Sequence, residues 1–163
     1  MNMKNMTSIV NTLHNEFQDK ILSNVITYRE VEKTIKENEM DIRTVSMLSF
    51  SGKGDSKHKE YRNISLHEHS LQVGTSAALF YIADTIHMSL KEDDILSKAI
   101  LLLMIGYLHD LNKIPETVIG YYSDYITNIG TYDLLRNYGY DLNYDDIQVL
   151  ISAVEERTRG NFI

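Results

Sequence analysis

A chain of 163 residues with 43% hydrophobic content is long enough to bury roughly 70% of the surface its unfolded form exposes, so one cooperative core is expected. It contains no cysteine, which excludes disulfide frameworks, zinc ribbons and iron–sulfur clusters and leaves only nitrogen and oxygen for any metal. A net charge of −7 argues against a free-standing nucleic-acid binder that relies on Lys and Arg against phosphates, but not against an enzyme that reaches a phosphate through a bound cation.

With one proline, eight glycines and no useful alternating pattern, the sequence reads as all-α, a single domain over residues 1–163. Ile9, Leu13, Phe17, Ile21 and Val25 recur every four residues and describe the buried face of a first helix. A more charged helix is expected from Tyr28 to Asn38. From Ser49 to Asn63 the glycines at 52 and 54 and the lysines at 53, 57 and 59 break every period, so a mobile surface loop is predicted. Ser65 and Glu68 then form an S-x-x-E capping box that opens a helix running through Leu71, Ala77, Phe80 and Ile82.

Glu92, Asp93 and Asp94 favour the start of another helix, continuing to about Asp110. It is apolar on nearly every face, which places it in the middle of a bundle and brings His109 and Asp110 from the core toward a cleft. Pro115 predicts the first turn of a helix reaching about Thr127. Gly130, Gly139 and Gly160 punctuate the remainder, and Asn143 caps a last helix through Ile147, Leu150, Ile151 and Val154. The first residues show neither the apolar run nor the small-residue cleavage site of a secretory signal, so none is expected, and the longest apolar stretch, Ala99 to Leu108, is too short for a bilayer. A soluble, cytoplasmic protein with no membrane partner is expected.

Hydrolysis of a phosphate ester near neutral pH needs a strong nucleophile and cancellation of phosphoryl charge, and one divalent cation can supply both. His109 and Asp110 are adjacent, so they cannot share a helical face, but at a helix end one can point inward and the other across a cleft. His69, forty positions earlier (109 minus 69), lies one turn into the capped helix. His67 cannot share the face of His69, and is expected to be exposed or bonded behind a ligand. His14, His58 and His87 read as surface residues. The tyrosines between Tyr121 and Tyr144 read mainly as half-buried packing, with base stacking as the alternative. Lys113 and Arg62 are suited to a substrate phosphate if they face the cleft.

The run Leu108-His109-Asp110-Leu111-Asn112-Lys113, preceded by Leu66-His67-Glu68-His69-Ser70, resembles the H…HD signature of the HD phosphohydrolase superfamily over roughly residues 60 to 125. The resemblance implies an all-helical bundle of about six or seven helices and a divalent metal (Mn, Ni, Co, Fe, Mg or Zn) held by His69, His109 and Asp110. It also implies Asp110, Lys113 and Arg62 as catalytic candidates. The arrangement of Arg62, Ser65 and His69 with His109-Asp110-x-Asn112-Lys113 is similar to the HD nuclease domain that begins the large subunit of type I-D CRISPR effector complexes. Conjugative relaxases carrying HD domains share the His69-Ser70 neighbourhood.

That nearer likeness implies a nuclease cutting single-stranded nucleic acid beside other subunits of a defence complex. A nucleotide or cyclic-nucleotide phosphohydrolase is the alternative within hydrolases, and a degenerate interaction module the alternative outside them. The sequence departs from the family in having no histidine after His109, which argues against a second metal. The family's late aspartate ligand has candidates in Asp141, Asp145, Asp146, Glu155 and Glu156. A protein continuing past Ile163 would place that ligand outside this sequence.

Overall fold

The computed structural model describes residues 3–25, 51–52, 63–114 and 122–160. Within them the regular structure is entirely helical: α1 (Met3–Lys20), α2 (Leu66–Thr85), α3 (Glu92–Leu108), α4 (Tyr122–Asn128), α5 (Thr131–Asn137) and α6 (Tyr144–Gly160). Short 3-10 turns follow α1 (Leu22–Asn24) and α3 (Leu111–Lys113). The expected all-α class is what forms. The helix expected over Tyr28–Asn38 and the start expected at Pro115 lie outside the described residues.

Local sequence accounts for most boundaries. Ile9, Leu13, Phe17 and Ile21 are buried, as the four-residue period requires, but α1 ends at Lys20 rather than running through Val25. Ser23 and Asn24 supply the reason: their side chains donate to the carbonyls of Asp19 (2.6 Å) and Lys20 (2.9 Å), diverting the backbone groups that would prolong the helix. Ser65 caps α2, its hydroxyl accepting from Glu68 N at 3.1 Å. At the start of α6, Asn143 Oδ1 accepts from Asp146 N (2.9 Å) while Asp146 Oδ2 accepts from Asn143 N (3.0 Å), a reciprocal box that satisfies two otherwise orphaned donors.

Gly139 closes α5 with φ +89°. Its N–H bonds Arg136 O and the N–H of Tyr140 bonds Leu135 O, a Schellman closure in a left-handed conformation that a β-carbon disfavours. Gly160, by contrast, ends α6 from inside the helix.

The core is organised around α3. Ten of its residues are buried, among them Ile95, Ile100, Met104, Tyr107 and Leu108, so it is enclosed by α1, α2, α5 and α6, all of which pack on it. The described tyrosines of the C-terminal third act as packing: Tyr125 is buried, and Tyr122, Tyr132, Tyr138, Tyr140 and Tyr144 lie partly buried against the core, while Tyr121 lies outside the described residues. No helix among the described residues is long and apolar enough to cross a membrane.

Candidate metal centre

Two glycines set the distance between the helices that carry the site. α2 and α3 run antiparallel and touch backbone to backbone: a β-carbon on Gly106 would lie 2.6 Å from Gly74 Cα, and one on Gly74 would lie 2.5 Å from Leu103 O. Glycine inside a helix costs about 1 kcal/mol relative to alanine, and here that cost permits close approach. His69 lies five residues before Gly74 and His109 three after Gly106, so the crossing brings both imidazoles to one end of the bundle.

There His69, His109 and Asp110 converge. His69 Nε2 and His109 Nε2 each lie 3.0 Å from Asp110 Oδ2, and one donor atom from each residue falls within 4.8 Å of the others. The imidazole centroids are 5.3 Å apart. Two ligands on bonds of about 2.1 Å lie ~3.0 Å apart when they meet an ion at a right angle, so the two spacings to Asp110 Oδ2 are compatible with a shared ion as well as with direct hydrogen bonds. α3 ends at Leu108, two residues short of the expected boundary, and His109 is its C-cap. That termination lets adjacent side chains turn to one point.

The hydrogen bond on the far side of His109 fixes how its ring can act. Its Nδ1 donates to Gly106 O at 2.6 Å, and a carbonyl only accepts. Nε2 therefore presents either a lone pair or a second proton toward Asp110. A lone pair and a carboxylate oxygen do not rest 3.0 Å apart without positive charge between them, which a proton or a metal cation supplies. Metal-ligating histidines commonly donate their other N–H to a carbonyl in this way. Burial opposes charging His109, but the hydrogen bond and charge of Asp110 and the Gly106 carbonyl outweigh it and raise its pKa. Burial likewise opposes ionisation of Asp110, yet hydrogen bonds from His109 and Lys113 hold it well below the usual carboxylate range. Two imidazoles and an ionised carboxylate are a donor set that fits a divalent transition metal.

Lys113 reaches this centre. Its Nζ lies 2.9 Å from Asp110 Oδ2 and also donates to the carbonyl of Gly52. Gly52 lies within the segment expected to be a surface loop, but it is buried, bridged through Ser51 to Ser65 and bonded from its N–H to Ile64 O. A β-carbon on Gly52 would meet His69 Cβ at 2.5 Å, so its lack of a side chain lets the backbone lie on the ligand ring. One short segment thus braces His69 and Lys113 together.

The other candidates separate. Asp145 and Asp146 stand exposed at the start of α6, Asp146 engaged in its cap, and neither joins the metal-capable group. Asp141 and Glu156 are exposed too. Glu155 is half-buried and lines two cavities that also touch His109. Arg62 and His58 lie outside the described residues, while His14 and His87 are exposed as expected. His67 is half-buried rather than exposed, its Nδ1 3.0 Å from the hydroxyl of fully buried Tyr107. Burial lowers its pKa despite the neighbouring Glu68 charge, so it serves as a neutral link between α2 and α3 rather than as a support for His69.

Sequence reasoning missed Gly74, Gly106 and Gly52. The available signal was a glycine inside an otherwise strong helical pattern, which often marks close backbone approach. Comparison with known proteins returns no match: no family profile, no curated protein and no solved structure is significantly similar to the chain.

Proposed function

We propose that this chain is a metal-dependent phosphohydrolase of the HD type, holding a divalent cation with His69, His109 and Asp110. The observation that carries the reading is His109: with Nδ1 committed to Gly106 O, its Nε2 faces an ionised carboxylate oxygen at 3.0 Å, an arrangement that calls for positive charge between them, which a metal cation would supply in place of a proton. When bound there, a divalent ion supplies acidity to a water molecule and positive charge to phosphoryl oxygens. The protein's own part is to orient. Gly106 O holds the tautomer of His109, Gly52 packs on His69, and Lys113 holds an ammonium at the carboxylate where a phosphate oxygen could exchange for Asp110. Arg62 is a further phosphate partner by the sequence resemblance alone.

The finer reading, motivated by Asn112 and Lys113 beside the histidine–aspartate pair, is cleavage of a phosphodiester in single-stranded nucleic acid within a larger defence complex. Incubation with end-labelled single-stranded DNA and RNA in manganese, cobalt or nickel tests it, beside a panel of nucleoside phosphates and cyclic nucleotides. Metal-dependent cleavage abolished by His109→Ala supports the nuclease. Release of phosphate from nucleotides alone moves the substrate to that class, and no hydrolysis of either removes the enzyme reading.

A second reading is favoured by one specific contact. Lys113 Nζ lies on the same Asp110 oxygen that both histidines approach, so a lysine can serve as the cation of a fold that no longer turns over. Calorimetric titration separates the two: micromolar metal binding supports the hydrolase, and absence of binding at millimolar metal supports the degenerate module.

A further inference from the structure

The outer face of α2 has a composition ill-suited to water. From His69 to Ala83 the helix carries no Lys, Arg, Asp or Glu, whereas a surface helix normally sets charged residues on the face away from the core. Its inner face packs on α3. The other is open: Gln72, Ser76, Phe80 and Ala83 recur at four- and three-residue spacings, and all are exposed. Phe80 is 72% and Met88 54% exposed, and Leu79 and Leu90 are exposed as well. Among the described residues, four of the six exposed large apolar side chains therefore fall between positions 79 and 90, at the end of the α2–α3 hairpin opposite His69 and His109. Single apolar residues are ordinary on a surface, but Phe, Met and Leu gathered in one place have the composition of an interface core. Grooves border this ridge on both flanks. A cavity of about 310 Å³ toward α1 is lined by Leu71, Thr75 and Leu79, and one of about 340 Å³ toward α6 by Val73 and Ala77.

We infer that the outer face of α2 is a docking site for a cationic amphipathic helix of a partner protein. A ridge with a groove on either side is the surface that a second helix packs against, its own side chains settling into both grooves. Charge selects the kind of helix. The exposed carboxylates Asp84, Glu92, Asp93 and Asp94 surround the apolar positions in the chain, against the ammonium groups of Lys91 and Lys98, and no Lys or Arg occurs between Arg62 and Lys91. Lysines or arginines flanking an apolar stripe complement that rim. A second copy of this chain would instead bring the same carboxylates together. An antiparallel two-fold pairing of α2 centred on Ser76 sets Glu68 of one copy against Asp84 of the other, each eight residues from the centre, and both chains carry a net charge of −7. An anionic lipid surface is repelled on the same grounds. The surface lies at the far end of the hairpin from the metal centre, so docking there needs no metal and leaves that centre open.

The test uses the intact chain, labelled at its isoleucine, leucine, valine and methionine methyl groups and observed by NMR. The probe is a synthetic helix of about 18 residues with leucines along one face and lysines along the other, beside a counterpart with glutamate in place of every lysine. The lysine peptide is expected to give saturable shifts centred on Leu79, Met88 and Leu90 and reaching Leu71 and Val73 on the two flanks. The glutamate peptide is expected to bind about tenfold more weakly or not at all. Phe80→Ser, a change at a position open to solvent, is expected to leave the melting temperature unchanged and to weaken binding of the lysine peptide by about tenfold. Asp84→Lys is expected to weaken it by about threefold. No saturable shift, shifts centred elsewhere, equal affinity for the two peptides, or indifference to either substitution overturns the inference. So does shielding of the Leu79, Met88 and Leu90 methyls from a soluble paramagnetic agent in the free chain, which would mean that the face is already covered. A dimer in sedimentation equilibrium that Phe80→Ser dissociates reassigns the surface to a second copy, and flotation with phosphatidylcholine or phosphatidylglycerol vesicles that Phe80→Ser abolishes reassigns it to a membrane; either result overturns the partner helix.

Discussion

Replacing Gly106 by alanine is the sharpest perturbation the fold offers, because helix propensity and packing demand opposite outcomes. Propensity alone would stabilise α3 by about 1 kcal/mol. The added carbon, however, would lie 2.6 Å from Gly74 Cα and 2.8 Å from Gly74 N. Both are backbone atoms of a facing helix, so no side chain can rotate away, and ordinary carbon contact near 3.5–4.0 Å requires the helices to part by about 1 Å. Overpacking of that kind costs about 3 kcal/mol at the unfavourable end of its range, leaving a net destabilisation of about 2 kcal/mol. For a chain of this size the melting temperature is expected to fall by about 4–8 °C.

The same displacement moves His69 away from His109 and Asp110, so manganese affinity is expected to drop by about tenfold or more. Differential scanning calorimetry and isothermal titration together read both effects. A variant that melts higher than the parent and binds manganese equally well would refute the argument that the glycine pair sets the ligand spacing.

Three other outcomes follow from the geometry. Asn143→Ala removes the reciprocal cap on α6 and is expected to cost about 1 kcal/mol, read as a melting temperature lower by about 2–4 °C. Lys113→Met removes the ammonium from Asp110 Oδ2, and is expected to tighten metal binding by about tenfold while lowering turnover of a phosphate substrate; the two readouts moving together in one direction would count against its assigned role. In the metal-free protein the His109–Asp110 pair should stabilise the fold most between about pH 4 and 6.5. The contribution of Asp110, whose pKa is depressed, is present above its unfolded value and lost as pH falls. That of His109, whose pKa is raised, is full below its ordinary 6.5 and lost as pH rises through its folded value. Metal affinity should do the opposite at the upper end, rising with pH as His109 gives up its proton, and a flat profile from pH 5.5 to 8.5 would contradict it.

The parts of this centre that sequence revealed are those whose physics is local. A capping serine, a first turn of three acids and an apolar run on every face of α3 are properties of consecutive residues, and together they place His69 near one helix start and His109 and Asp110 at another helix end. Gly52, Gly74 and Gly106 were not legible in the same way, since each matters for what lies against it from elsewhere in the chain. Read locally, Gly52 sits in a lysine-rich stretch with loop composition, although the fold buries it on His69. Asp146 shows the converse. Its place late in the chain made it one candidate for the aspartate ligand that the family resemblance implies, yet the backbone N–H of Asn143 claims its carboxylate. Lys113 was legible as a phosphate-facing candidate, and the return of residues 51–52 over the site adds the Gly52 carbonyl to its local i,i+3 partner Asp110.

The central claim is that one cation binds among His69, His109 and Asp110, and anomalous diffraction from crystals soaked in manganese or nickel tests it most directly. The expected map has a single strong peak within about 2.0–2.3 Å of one nitrogen from each imidazole and an oxygen of Asp110, absent from His109→Ala crystals. A featureless map at millimolar metal, or a peak touching only one of the three side chains, would contradict the account.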